Sequence, residues 1–218
     1  IGHNRYSTSG SSKNPANIQP FRVHYRSGNI AIGHNGNLSN AKQIRSRFRD
    51  EGVIFQSTSD TELILHLIAQ SQYEDQMDQI MDALKQIEGA YCLVMLTDDK
   101  LIAVRDPNGF RPLSLGKIDG KFCVASETCA FDINNAEYIR DVQPGEVIVI
   151  DKEATEAGEP KSYFIEPEIG TSTSQCIFEY VYFSRPDSMI FGEMVDKIRR
   201  NLGKALAKEH PINEVIGD

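Results

Sequence analysis

The chain has 218 residues, of which 40% are hydrophobic and 25% charged, a composition typical of globular proteins rather than of disordered or fibrous ones. Its formal net charge of −8 argues against a nucleic-acid-binding surface, because neutralising phosphates requires clustered Lys and Arg. No apolar run is long enough to span a bilayer, and no segment has the pattern of a secretion signal. We therefore expect a cytoplasmic protein that binds neither nucleic acid nor membrane.

The first half of the chain alternates polar loops with helical patterns. Residues 1–21 are rich in Ser, Asn, Gly and Pro and are predicted to form an ordered loop. An apolar strand at 29–33 should run into a tight turn at 34–37, where Asn-Gly favours positive φ. Helical spacing of apolar residues predicts three helices after this turn, covering residues 39–50, the residues after Ser59, and residues 76–87.

The second of these helices has a recognisable beginning. Ser59-Asp60-Thr61-Glu62 fits a capping box, in which the first and last side chains bond to each other's backbone N–H. This pattern places Asp60 at a helix N-terminus.

The second half of the chain has mainly strand patterns. The predicted strands cover residues 91–96, 101–105, 113–118, 122–125, 146–150 and 162–165. Residues 151–160 are charged and contain Gly, which favours an exposed turn. Met194, Ile198, Leu202 and Leu206 have the spacing of an amphipathic helix, and a further strand is predicted to begin at Val215. Together these elements indicate a layered α+β domain followed by the opening of a second domain.

Four cysteines are spaced without any CxxC pair, which argues against a zinc finger or a thioredoxin-like redox site. Cys92 and Cys123 lie in apolar strand patterns and are predicted to be buried as small hydrophobic residues. Cys129 is also predicted to pack in the interior, and Cys176 is the fourth.

Four clusters contain more polar residues and glycines than folding alone requires. They are residues 2–8 (Gly-His-Asn-Arg-Tyr-Ser-Thr), 34–37 (His-Asn-Gly-Asn), 59–62 and 106–112 (Asp-Pro-Asn-Gly-Phe-Arg-Pro). Each has a structural explanation: a surface ion pair for Arg5, a turn, a helix N-terminus, and a hairpin connection. A short motif taken alone favours the structural explanation.

Taken together and in this order, the clusters resemble the class II glutamine amidotransferases, which are Ntn hydrolases. Residues 125–131 (Ala-Ser-Glu-Thr-Cys-Ala-Phe) and 178–188 (Phe-Glu-Tyr-Val-Tyr-Phe-Ser-Arg-Pro-Asp-Ser) are similar to the branch that carries a phosphoribosyltransferase domain. The resemblance implies an α+β fold, the four-layer α/β/β/α sandwich without its first strands, over residues 1–177. Residues 178–218 would begin a phosphoribosyltransferase-like domain.

The resemblance also implies roles for four residues in a glutamine site. Arg5 matches the family arginine that pairs with the α-carboxylate of glutamine, and Asp60 matches the acid that holds the α-ammonium. Asn35, through its side-chain amide, and Gly36, through its backbone N–H, match the oxyanion hole. A planar guanidinium suits a carboxylate, and preorganised N–H donors suit an oxyanion.

The nucleophile of this family is an amino-terminal cysteine whose own α-amino group acts as the base. Residue 1 of this sequence is Ile, and none of the four cysteines is amino-terminal. We therefore expect that the family's cysteine lies in an upstream segment, and that the polypeptide of residues 1–218 alone does not hydrolyse glutamine.

The second half-reaction implied by the resemblance transfers ammonia to phosphoribosyl pyrophosphate and gives phosphoribosylamine, the first committed step of purine synthesis. Its site, with bound Mg²⁺, would lie in the transferase domain. Position alone suggests that Arg185, Pro186 and Asp187 help to couple the two sites. Cys176 matches one ligand of the [4Fe–4S] cluster found in some members, and a homo-oligomer is expected.

Two other interpretations remain open. One is another class II amidotransferase, such as an aminosugar synthase, which would lack the 178–188 motif. The other is a non-catalytic module that binds an amino acid as a sensor.

Overall fold

Two antiparallel sheets form the centre of the molecule. The computed structural model describes residues 1–4, 14–165 and 173–211. Sheet A has six strands in the order β1-β2-β3-β4-β8-β9, and sheet B has three in the order β6-β5-β7. The strands are β1 (Phe21–Tyr25), β2 (Gly28–Leu38), β3 (Gly89–Thr97), β4 (Leu101–Arg105), β5 (Ser114–Ile118), β6 (Lys121–Ala125), β7 (Glu137–Asp141), β8 (Glu146–Ile150), β9 (Lys161–Phe164), β10 (Met189–Ile190) and β11 (Glu193–Met194).

Six α-helices lie in the part of the chain that the structure describes. They are α1 (Ala41–Asp50), α2 (Thr61–Gln70), α3 (Gln76–Leu84), α4 (Cys129–Ile133), α5 (Lys152–Ala157) and α6 (Val195–Glu209). A 3-10 turn at Pro15–Asn17 and a π-helical turn at Glu179–Phe183 complete the set. None of these helices is long and apolar enough to cross a membrane.

Two apolar cores separate the layers. The larger joins sheet A to α1, α2 and α3, and includes Ile32, Phe48, Leu63 and Leu93, each fully buried. The smaller lies between the sheets and contains Cys92, Ala103, Leu113, Leu115, Val142, Ile148 and Ile150. Because β residues alternate between faces, neighbours such as Cys92 and Leu93 contribute to different cores.

Helix α4 covers the outer face of sheet B. Phe131 of α4 packs against Gly116 of β5, where an added Cβ would lie 2.9 Å from the ring. The order of layers is therefore helices, sheet A, sheet B, helix. This confirms the α/β/β/α sandwich expected from the sequence, whereas the division into domains at residue 177 stays a prediction.

The turn predicted at residues 34–37 was wrong, because β2 continues through these residues to Leu38. β3 pairs with them throughout: Asn35 lies opposite Cys92, Gly36 opposite Tyr91, and Asn37 opposite Ala90. Gly36 does take a positive φ of 150°, but within the strand. The Asn-Gly pair therefore marks a close approach of two strands rather than a chain reversal.

The capping box at the start of α2 was also wrong. Glu62 does not reach back to Ser59; its carboxylate accepts hydrogen bonds from the N–H groups of Gln56 and Ser57, at 2.7 and 2.8 Å. Asp60 lies at the N-terminus of α2, as predicted, but it occupies the N-cap position itself, and its side chain makes no capping bond.

Residues 151–160, predicted as a turn, contain helix α5. The Asp151 carboxylate accepts a hydrogen bond from the Ala154 N–H at 2.8 Å, and Gly158 ends the helix with a φ of 72°. Ala154 is buried, which gives this short helix one attachment to sheet A. Helix α3 stops at Leu84, three residues before the predicted end, and the strand predicted at Val215 lies outside the described residues.

Candidate active site

A cavity of about 600 Å³ lies where β2, β6, α4 and the turn Glu179–Phe183 meet. Asn35 and Gly36 form part of its wall, as do Ala125 and Glu127 from the end of β6 and the following loop. The two residues expected to form an oxyanion hole therefore border a cavity of a size that holds small metabolites.

The conformation of Gly36 explains why no other residue fits there. A Cβ at this position would lie 2.0 Å from the carbonyl oxygen of Ala90, and the φ of 150° is one that L side chains rarely adopt. The backbone of β2 can approach β3 this closely only because the side chain is absent. Glycine here fixes the path of the strand beside Asn35.

The Asn35 side chain lies on the side of β2 that faces the cavity. It is half-buried, and its amide makes no hydrogen bond to the residues that the structure describes. On the same face, an added Cβ at Gly33 would lie 3.8 Å from the ring of His3. The His3 Nε2 lies 2.9 Å from the carbonyl oxygen of His34, so the first residues of the chain lie along this strand.

His34 points to the opposite face, into the helix layer. Its Nδ1 lies 3.2 Å from the Thr61 hydroxyl and 3.6 Å from the Asp60 carboxylate, all three groups being buried at the start of α2. Its backbone N–H donates to the side-chain oxygen of Gln19 at 2.7 Å. The residue that precedes Asn35 is therefore held through both its side chain and its backbone.

Asp60 is buried behind the strand and does not line the cavity. Its Oδ2 accepts a hydrogen bond from the Leu38 N–H at 3.0 Å. Burial by itself raises the pKa of this carboxyl, but His34 and the Leu38 N–H outweigh burial, so the pKa lies below its ordinary value. An ionised Asp60 thus fixes the end of β2 just after Gly36, while Arg5, its predicted partner around the substrate, lies outside the described residues.

The loop at 106–112 is built around a buried carboxylate. Asp106 accepts hydrogen bonds from the N–H groups of Asn108 and Phe110, at 2.9 and 3.1 Å, and burial raises its pKa. Arg105 donates to the carbonyl oxygens of Gly109, Arg111 and Val142. These bonds stay within the protein, so this motif shapes a loop.

A buried ion pair closes another side of the cavity. The Arg111 Nη1 lies 2.6 Å from the Glu179 Oε1, and the guanidinium stacks 4.4 Å from the ring centre of Phe183. Burial raises the pKa of Glu179, and Arg111 and Ser184 only partly offset this. This pair joins the loop before β5 to the turn Glu179–Phe183, a link that no spacing in the sequence announced.

The cysteines have the surroundings of packing residues. Cys92 and Cys129 are buried, Cys123 is half-buried, and burial raises the pKa of each of these thiols. Cys176 is half-buried, and its backbone N–H donates to the Phe110 carbonyl at 3.1 Å. Within residues 1–4, 14–165 and 173–211, no three His, Cys, Asp or Glu side chains form a group that could hold a metal. The described residues therefore do not supply a cluster by themselves.

Comparison with known proteins identifies relatives of this chain. A glutamine amidotransferase domain model matches residues 3–132. Amidophosphoribosyltransferase 1, chloroplastic, of Arabidopsis thaliana is 47% identical over 97% of this chain and 36% of its own length. The Bacillus subtilis amidophosphoribosyltransferase is 44% identical over 97% of this chain and 43% of its own length.

A solved structure shares the fold. The glutamine phosphoribosylpyrophosphate amidotransferase of B. subtilis, complexed with ADP and GMP, superimposes with a TM-score of 0.86 at 42% identity. The match covers 97% of this chain and 44% of that one. The chain thus spans less than half the length of these relatives. Because the family model matches more than half of the chain, this chain belongs to the glutamine amidotransferase domain family.

Proposed function

We propose that this chain is the glutamine-hydrolysing part of an amidophosphoribosyltransferase. Its activity would release ammonia from glutamine, and the complete protein would use that ammonia to convert phosphoribosyl pyrophosphate to phosphoribosylamine in purine synthesis. Support comes from the similarity to such enzymes over nearly the whole chain. The observation that carries the proposal is the pair Asn35 and Gly36 on the cavity wall.

Glutamine hydrolysis requires hydrogen-bond donors around one atom, the carbonyl oxygen of the side-chain amide. When a thiolate attacks the side-chain amide of glutamine, the carbonyl oxygen gains the negative charge, ammonia leaves, and water then releases glutamate from the thioester. The Asn35 amide and the Gly36 N–H are adjacent donor groups on β2, and contacts on the opposite face of β2 hold this strand in place. The two donors therefore need little reorganisation to stabilise the negative charge on the oxygen.

Asp60 and Arg5 are proposed to recognise the amino-acid end of glutamine. The family resemblance is the ground for this proposal, since Asp60 itself does not line the cavity. A buried, ionised carboxylate is a suitable partner for the α-ammonium, and an arginine for the α-carboxylate. Asp60 is held in its charged form by the Leu38 N–H and His34. One complementary charge for each end of a zwitterion would exclude simple amides.

The remaining proposals concern binding sites outside the cavity, the oligomeric state and the location of the protein. We propose that phosphoribosyl pyrophosphate and Mg²⁺ bind in a transferase domain, where phosphate and carboxylate oxygens would be the ligands. Cys176 is proposed as one ligand of a [4Fe–4S] cluster that takes its other ligands elsewhere. A homo-oligomer and a cytoplasmic location are proposed from the family resemblance.

The test uses the complete gene product and the Asn35→Ala variant. Loss of one oxyanion donor should lower the rate of glutamate release by roughly 10²–10³-fold. Phosphoribosylamine formation from added ammonia should be unchanged, because that reaction does not use the cavity. The matched control is Asn37→Ala, which removes an exposed amide from the same strand and should leave both rates unchanged.

Three outcomes would contradict the proposal. If the complete gene product binds glutamine without releasing glutamate, it is an amino-acid-binding module. If it passes ammonia to a different sugar phosphate, it is another class of amidotransferase. If Asn35→Ala releases glutamate at the normal rate, the cavity is not the site of hydrolysis.

A further inference from the structure

Two motifs that are far apart in the sequence bind each other in the structure. The loop after β6, Ser126–Thr128, lies between the cavity and the segment Arg185–Met189. The contacts are polar and short, and they involve the part of the chain that leads from the sandwich into α6. They are independent of the interactions that hold Asn35 and Gly36.

Glu127 provides most of these contacts with a single carboxylate oxygen. Its Oε2 accepts hydrogen bonds from the Arg185 backbone N–H at 2.7 Å and from the Ser188 hydroxyl at 2.8 Å. Next to it, the Thr128 hydroxyl accepts from the Met189 N–H at 2.8 Å. Hydrogen bonds to a charged acceptor are stronger than neutral ones, so Glu127 is the main attachment.

The same segment is also held by α6. The Ser188 carbonyl accepts from the Val195 N–H and the Pro186 carbonyl from the Asp196 N–H, both at 3.0 Å. Ser188 is fully buried. A displacement of α6 would therefore move Arg185–Met189, and through Glu127 it would move a wall of the cavity.

The side chain of Arg185 has a different environment. Its guanidinium pairs with Asp187 at 2.7 Å, and both side chains are more than half exposed. Exposed pairs of this kind contribute little free energy. The attachment of the segment depends on the backbone of Arg185 and on Glu127, not on the charged side chains at 185 and 187.

We propose that Glu127 is a positioning residue that couples glutamine hydrolysis in the cavity to the segment Arg185–Met189, and through α6 to the ammonia acceptor site. This inference rests on the proposed function. Without such a link, glutamine would be hydrolysed when no acceptor is present and the ammonia would be lost. Such a link needs the segment to be held at two places: Glu127 attaches it to the cavity wall, and the N–H groups of Val195 and Asp196 attach it to α6.

The experiment compares three variants of the complete gene product: Glu127→Ala, Glu127→Gln and Asp187→Ala. Glutamate and pyrophosphate release are measured together, with and without phosphoribosyl pyrophosphate. Product formation from added ammonia is measured separately. In the unaltered protein, we expect glutamate release to rise when phosphoribosyl pyrophosphate is added and to equal pyrophosphate release.

For Glu127→Ala we expect this stimulation to fall by about tenfold, which corresponds to the loss of a hydrogen bond to a charged group. Glutamate release should then exceed pyrophosphate release, while the ammonia-dependent rate stays unchanged. Glu127→Gln keeps one carbonyl acceptor and should restore part of the coupling. Asp187→Ala, in the same segment, should remain within about twofold of the unaltered protein because its ion pair is exposed.

Amide hydrogen exchange at Arg185 and Met189 provides a second measurement, since both N–H groups should exchange faster in Glu127→Ala. Normal coupling in this variant, or equal loss in Asp187→Ala, overturns the inference. If Glu127→Ala does not fold, Ser188→Ala removes the second donor to the same oxygen and must show the same uncoupling. Failure of the unaltered protein to make phosphoribosylamine even from ammonia would instead contradict the proposed function.

Discussion

The two faces of strand β2 have different surroundings. On the helix side, Ile30, Ile32 and His34 are at most 4% exposed and pack against the helix layer. On the other side, Gly33 lies beside His3, and Asn35 lines the cavity. One strand therefore presents alternate residues to the packed core and to the cavity, as the period of two in a β-strand allows.

The two apolar cores also differ in size and in their surroundings. The helix-side core is large and apolar, whereas the core between the sheets contains small residues such as Cys92 and Ala103 and lies in the same layer as the cavity. Polar groups contribute to the attachment of sheet B: Arg140 of β7 and Glu146 of β8 form two parallel hydrogen bonds at 2.8 and 2.7 Å. Dense packing on one face of a strand can hold the polar groups on its other face in fixed positions.

The largest effect should come from Gly36→Ala, because it affects both faces at once. The new Cβ would lie 2.0 Å from the Ala90 oxygen, so β2 must separate from β3. We expect the free energy of unfolding to fall by more than about 4 kcal/mol, a size that single substitutions reach exceptionally. Thermal unfolding measures this loss, and glutamate release should be abolished.

Gly158→Ala is the matched control for that variant. Its φ of 72° is also positive, but no atom lies within 4 Å of the added Cβ. It should cost only about 1–2 kcal/mol, the price of a left-handed conformation alone. Equal losses for the two variants would mean that backbone strain, rather than the approach of β2 to β3, makes glycine necessary at Gly36.

The next-largest expected effect tests whether the two faces of β2 act independently. Ile32→Ala removes a fully buried side chain from the helix side and should destabilise the protein by about 2–5 kcal/mol in chemical denaturation. The folded fraction should bind glutamine normally, because Ile32 points away from the cavity. Ile54→Ala, at a position that is 83% exposed, should change stability by less than about 0.5 kcal/mol. A weakened glutamine affinity in folded Ile32→Ala would show that the faces are not independent.

Periodicity predicted much of this arrangement. The strand patterns at residues 101–105 and 146–150 match β4 and β8 residue for residue, and the helix predicted from residue 39 is α1 with its start two residues later. Apolar side chains with clear periods are placed by burial, and burial is readable from a single sequence. The fold class followed from these elements and the family motifs.

Other features depended on pairing between distant segments. Asn35-Gly36 has the composition of a turn, and only the partner strand β3 makes it extended. Ser59 and Glu62 have capping-box spacing, but Ser57 and Gln56 compete successfully for the Glu62 carboxylate. Strand β7 is polar and was not predicted; it is formed by pairing with β5. Such choices are set by tertiary contacts, which local propensity does not contain.

The site was predicted unevenly for the same reason. Asn35 and Gly36 carry a recognisable motif, and the structure places both on the cavity wall. The bonds of Glu127 to Arg185 and Ser188 join segments 58 and 61 residues apart, which nothing in one sequence pairs. Residue types suggested which groups act on the substrate, and the structure was needed to see what holds those groups.

The smallest expected effect is a pH dependence at the polar link between the sheets. Burial alone would raise the pKa of Glu146, but the hydrogen bonds from Arg140, Ser162 and the Gln143 N–H lower it below the ordinary value of 4.5. A carboxyl with a lowered folded-state pKa stabilises the protein fully above its unfolded-state pKa, and this stabilisation is lost as the pH falls through the folded-state value. Urea denaturation of Glu146→Gln should therefore show lower stability at neutral pH and a smaller further loss under acid.

Glu156→Gln, which removes a carboxylate that is 68% exposed, should follow the unaltered protein at every pH. If Glu146→Gln instead loses stability under acid as steeply as the unaltered protein, the acid sensitivity lies elsewhere and the link between the sheets is not electrostatic.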